Sequence, residues 1–134
     1  MNGQASGPPS TNISIASNGR GKVALKYRNG IKRTSAQIVF MDEGKVTPDS
    51  FAVHYDMEEW WDIPEVRHGD GQIFSFADNH AEYWKWSSET IDIVKAGQLY
   101  RAPQTNPGKQ DLYRIQLRCW GKLGYTPSVR ATVD

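Results

Sequence analysis

One cysteine, Cys119, is present in 134 residues. A single thiol excludes an internal disulfide and a zinc site built from cysteines, and it is compatible with either side of a membrane. Excess charge is missing too: Lys and Arg total 16 against 15 for Asp and Glu. A net charge of +1 supplies no basic field to draw nucleic acid or an anionic membrane surface. No apolar run approaches the roughly 18 residues of a membrane-spanning helix. The start, MNGQASGPPSTN, has neither the basic nor the apolar region of a secretory signal. Two catalytic signatures are absent as well: no His-Glu-x-x-His zinc helix and no Gly-x-Ser-x-Gly nucleophile elbow occur. No internal repeat is visible.

What remains is one domain's worth of chain, rich in large aromatics, with five Trp and six Tyr. Residues 1–20 are too polar to offset the entropy of ordering and read as an extended or flexible segment, leaving 21–134 as a single domain. VALKY (23–27) and SAQIVFMDE (35–43) carry the β-branched and aromatic residues of strands between Gly and Asn breakers. Residues 44–70, with Pro48, Pro64 and several glycines, predict a long structured loop with little regular ladder. SSETIDIVKAG (87–97) fits either a short helix capped by Ser87 or Ser88 or a strand through Ile91 and Ile93. NPGKQDLYRIQLRCW (106–120) predicts a helix with Asn106 as N-cap, Pro107 at the first position, and Leu112, Ile115 and Cys119 on one face.

The most patterned stretch is QIFSFADNHAEYWKW, residues 72–86. Two alternating runs meet at Asp78-Asn79, a pair that tolerates the positive φ of a tight two-residue hairpin turn. That loop would set Ala77 opposite His80, Ser75 opposite Glu82 and Ile73 opposite Trp84. Phe74, Phe76, Ala81 and Tyr83 would then form the core face, and His80, Glu82, Trp84 and Trp86 a mixed one.

Several residues suit chemistry. His54, Asp56 and Glu58 alternate in HYDMEE, with His68, Asp70, Asp78 and His80 not far along the chain, so a metal set can be drawn from His54, Asp56 and His80. The spacing is not diagnostic, and turn residues hydrogen-bonding locally account for it as well. Asp62, Glu65, Asp70 and Glu82 beside Trp60 and Trp61 are the components of a sugar-cleaving carboxylate pair, with nothing to fix their separation. Trp60, Trp61, Trp84 and Trp86 are flat amphipathic faces that stack on sugar rings or fill cores, with at least one expected to be substantially exposed. Cys119, on the apolar side of a helix, reads as a buried inert thiol.

The block RHGDGQIFSFADNHAEYWKW resembles the signature of the H-X9-DG pilin-like proteins, relatives of type II secretion pseudopilins in planctomycetes and verrucomicrobia. His68 stands as the His, residues 69–77 as the nine, Asp78 as the Asp, and Asn79 where the family writes Gly. His80, Glu82 and Lys85-Trp86 match the family's continuation. MNGQASG, KRTSAQIVFMDEG and QDLYRIQLRCWG resemble further segments. The resemblance implies an α+β pilin-like domain with an antiparallel sheet around the 72–86 hairpin and a C-terminal helix, corresponding to the part of the family that follows its N-terminal anchor helix. It implies a structural subunit of a secretion or surface fibre, extracytoplasmic or at the cell surface, without catalysis or cofactor. The partners it implies are other pilin-like subunits or further copies of the chain. A polysaccharide-binding module on the tryptophans, or a small metal- or carboxylate-dependent hydrolase, are the alternatives. His68 and Asp78 are expected to fasten the fold from opposite ends of a strand.

Overall fold

The computed structural model describes residues 28–45 and 51–133; the expected strand at 23–27 and the segment 1–20 lie outside these. Short 3-10 turns at Arg28–Gly30 and Thr34–Ala36 precede strand β1, Ile38–Phe40. Strands β2, Gly71–Phe76, and β3, Ala81–Lys85, follow, then helices α1, Ser88–Lys95, and α2, Asn106–Trp120. The three strands form one antiparallel sheet in the order β1-β2-β3, with a register irregularity between Ile38 and Phe40. The architecture is α+β.

The hairpin forms where expected, but its register differs by one residue. Gln72 pairs with Trp84, Ile73 with Tyr83, Phe74 with Glu82 and Ser75 with Ala81. Phe76 and His80 close the loop, with the Phe76 amide on the His80 carbonyl at 3.0 Å and the Asn79 amide on the Phe76 carbonyl at 3.0 Å. The loop therefore holds Ala77, Asp78 and Asn79, and only Asn79 takes a positive φ, 72°. One left-handed residue after a tight turn costs less strain than the two that a two-residue loop requires. Because the side-chain period of a strand is two, the slip exchanges the faces of β3. Trp84 goes into the core, 2% exposed, and Tyr83, expected inside, is 46% exposed. The larger apolar ring is the one buried.

Helix α2 begins one residue earlier than expected. Thr105, not Asn106, is its N-cap, and its hydroxyl oxygen accepts from the Gly108 amide at 3.2 Å. Gly121, with φ 78°, ends the helix in the left-handed conformation glycine favours. Leu112, Ile115 and Cys119 are buried on one face as predicted. Residues 88–95 resolve as a helix because Ser87 caps it, its hydroxyl accepting from the Thr90 amide. The Asp111 carboxylate on α2 then accepts from both the Ser87 amide and the Thr90 hydroxyl. Glu89 returns the favour by accepting from the Gln104 and Thr105 amides. Each helix thus braces the other's start.

The described part of the 44–70 loop supplies much of the core. Phe51, Val53, Tyr55, Trp60 and Ile63 are buried with Phe74, Phe76, Trp84, Trp86, Leu112 and Ile115. Side chains satisfy its backbone in place of a ladder. Asp62 accepts from the Ala52 amide at 2.6 Å, the Trp120 indole donates to Val53, and the Gln116 amide donates to His54 and Met57. Gln72, buried on β2, donates to Asp42 and accepts from Glu65.

Candidate functional site: a locked hairpin and an open sheet face

His80 sits just past the hairpin loop with its ring flat on Phe76, centroids 4.4 Å apart and planes within 5°. Its Nδ1 meets Asp78 Oδ1, and its Nε2 meets Glu82 Oε1 at 2.9 Å. The other Glu82 oxygen accepts from the Trp84 indole at 2.7 Å. The Trp84 ring lies 4.2 Å from Phe74, and the Arg114 guanidinium stands 4.1 Å from its centroid. A chain of contacts thus runs from the loop to the core. Donating to Glu82 and then to Asp78 raises the His80 pKa; the His80 bond lowers Asp78, and the bonds from Trp84 and His80 lower Glu82. With a carboxylate on each ring nitrogen, His80 has no lone pair free for a metal or a substrate proton. The cluster is a clamp.

His68 lies at the other end of β2. Arg67 and Gly71 exchange backbone hydrogen bonds, and between them His68, Gly69 and Asp70 all have positive φ, 53°, 80° and 66°. The Tyr83 hydroxyl donates to the Gly69 carbonyl at 2.6 Å, and the Trp86 amide donates to Asp70. A Cβ on Gly71 would stand 2.6 Å from the Tyr83 ring, so the ring needs the glycine beneath it. The six residues of β2 separate His68 from Asp78.

The remaining candidates are dispersed. His54 is buried, with its ring 4.8 Å from Trp61 and its Nε2 3.8 Å from Glu59. Asp56 is half-buried in the loop, whereas His80 stands at the hairpin end. Among the described residues no group of three His, Cys, Asp or Glu is placed to hold a metal ion. Asp62 is buried against Ala52, Glu65 is half-buried, and Asp70 is in the exposed turn. Trp60, Trp84 and Trp86 are buried and Trp61 is half-buried, which corrects the expectation of a substantially exposed tryptophan among them. Trp61 instead shares a small surface with Tyr100, 57% exposed and 5.9 Å away.

The outer face of the sheet, by contrast, is open. Ile73 and Tyr83 form one cross-strand pair, and Phe40, Ser75 and Ala81 form the next row. Phe40 is 69% exposed and Ile73 50%. The alternation of 72–86 contained this face, but the register that puts Tyr83 on it and the pairing that brings Phe40 to it did not follow from local sequence. Lys109 and Tyr113 of α2, Ser128 of the segment after it and Glu58 of the 44–70 loop form a further cluster. The Ser128 hydroxyl donates to Glu58, and Lys109 lies 3.6 Å from the same carboxylate. Ser128, Lys109 and Glu58 satisfy one another, while the buried Tyr113 hydroxyl beside them has no hydrogen-bond partner among the described residues.

Comparison with known proteins finds no matching family model, no matching curated protein and no matching solved structure. No helix among the described residues is long and apolar enough to cross a membrane.

Proposed function

We propose that this chain is a non-catalytic, pilin-like structural subunit of a secretion or surface fibre, and that it meets a neighbouring copy through the outer face of its sheet. One observation carries the reading: Phe40, Ile73 and Tyr83 lie together on a sheet face, each close to half exposed or more. Large apolar side chains grouped on one exposed surface mark an interaction site. The saturated His80 clamp is consistent with a role in holding shape, and the 68–86 resemblance points the same way. Sedimentation equilibrium tests the reading. The unaltered chain should associate as its concentration rises, and Ile73→Lys or Tyr83→Lys should shift it toward monomer while circular dichroism stays native. A wild-type chain that remains monomeric at high concentration would refute this assignment.

A second reading, polysaccharide binding, rests on the Trp61 and Tyr100 rings. Aromatic rings at a surface stack on sugar rings. Pull-down with insoluble cellulose or xylan, lost in Tyr100→Ala, would support it; no retention of the unaltered chain would remove it.

A further inference from the structure

Three residues in a row, His68, Gly69 and Asp70, hold positive φ, 53°, 80° and 66°. Two of them carry a Cβ, which the left-handed region crowds against the following carbonyl, so the conformation persists only where its surroundings over-determine it. Backbone contacts fix the two ends of this turn. Arg67 and Gly71 exchange hydrogen bonds at 2.9 and 3.0 Å, and the Trp86 amide donates to the Asp70 carbonyl at 2.9 Å. The middle is held by a side chain. The Tyr83 hydroxyl, reaching across from β3, donates to the Gly69 carbonyl at 2.6 Å, and its ring lies over Gly71, where an added Cβ would meet ring carbons at 2.6 Å. The same ring pairs with Ile73 on the outer face of the sheet and is 46% exposed. One side chain therefore belongs both to the apolar face and to the strained turn. Its hydrogen bond to Gly69 is exposed, so water competes for it, and a surface laid over the face excludes that competitor.

We propose that Tyr83 is a latch coupling the outer sheet face to the turn at 67–71: a neighbouring copy that covers the face strengthens the Tyr83–Gly69 hydrogen bond and holds the turn left-handed, and an uncovered face lets the turn open. Ring and hydroxyl have separate tasks. The ring makes the contact, and the hydroxyl positions the turn. Arg67, His68 and Asp70 are exposed there, so the charged and polar surface they present is fixed in the associated chain and relaxed in the free one. A neighbour shifts the turn because it meets the latched form with a different free energy from the open form. The inference rests on the sheet-face association put forward above and adds a consequence outside the contact itself.

Amide hydrogen exchange followed by NMR in the unaltered chain and in Tyr83→Phe tests it, with sedimentation reporting association separately. Tyr83→Phe keeps the ring and removes the hydroxyl. In dilute solution it should speed exchange of the Gly71 and Trp86 amides by roughly fivefold, the factor to which the net contribution of one hydrogen bond corresponds. The Phe76 amide, bonded to His80 at the far end of the hairpin, should be unchanged. Equal exchange in the two chains, or a speed-up shared by Phe76, overturns the latch. As concentration rises, exchange at Gly71 and Trp86 should slow in the unaltered chain and not in Tyr83→Phe, although both associate. Association without that slowing, or the same slowing in both chains, overturns the coupling and leaves the sheet-face reading intact. A chain that stays monomeric by sedimentation removes the sheet-face reading and the coupling with it, and the dilute comparison still decides the latch.

Discussion

Asn79 decides which side of β3 is buried. Alternation in 72–86 makes a hairpin legible, but Asp and Asn both tolerate left-handed backbone, so local sequence does not say how many of them adopt it. The structure uses one, and the loop gains a residue. Burial of Trp84 in place of Tyr83 is the consequence, and it is measurable. Trp84→Ala should cost about 3–5 kcal/mol in urea unfolding, whereas exposed Tyr83→Ala should stay within about 1 kcal/mol. The reverse order would restore the two-residue loop. His80 gives a pH signature. Its pKa is raised above the ordinary 6.5, so its contribution is complete below 6.5 and is lost as pH rises through the folded value. A neutral imidazole has one N–H and cannot serve two carboxylates. Asp78 and Glu82 are lowered from 3.8 and 4.5, so theirs holds above those values and is lost as pH falls through the lowered ones. Thermal melts should therefore decline on the alkaline side of 6.5 in the unaltered chain, and His80→Gln should flatten that step. An NMR titration placing His80 at or below 6.5 would contradict the clamp.

At the scale of elements, caps and loops divide what was readable. The apolar face of α2 was plain from Leu112, Ile115 and Cys119, but its start was not, because Thr105 and Asn106 are both capping residues and proline is tolerated throughout the first turn. Thr105→Ala should cost about 0.5–2 kcal/mol, measured by denaturant unfolding, and Asn106→Ala much less. Equal losses would mean the cap is shared. For 88–95 the tie was broken by tertiary contacts, since Asp111, 24 residues beyond Ser87, takes the amide and hydroxyl of the α1 start. The 44–70 loop was recognisable from its prolines and glycines. Its role in the core was not, because Gln116 and Trp120 satisfy its backbone from α2, 62 and 67 residues along the chain, alongside the nearer Asp62 and Gln72.

For the whole molecule, the tryptophans that invited a binding role are largely interior, and the open surface is the apolar row of Phe40, Ile73 and Tyr83. That row is assembled by the sheet from segments more than 30 residues apart, beyond the reach of any local pattern. Among the described residues the His80 cluster is closed on itself and one sheet face leaves Phe40, Ile73 and Tyr83 about half exposed or more, which supports the proposed assembly role. The most direct test is a concentration series of two-dimensional amide NMR spectra on the unaltered chain. Association through the sheet face should place the largest concentration-dependent shifts on Phe40, Ile73, Tyr83 and their strand neighbours. Shifts confined to Trp61 and Tyr100, or none at any concentration, would contradict it.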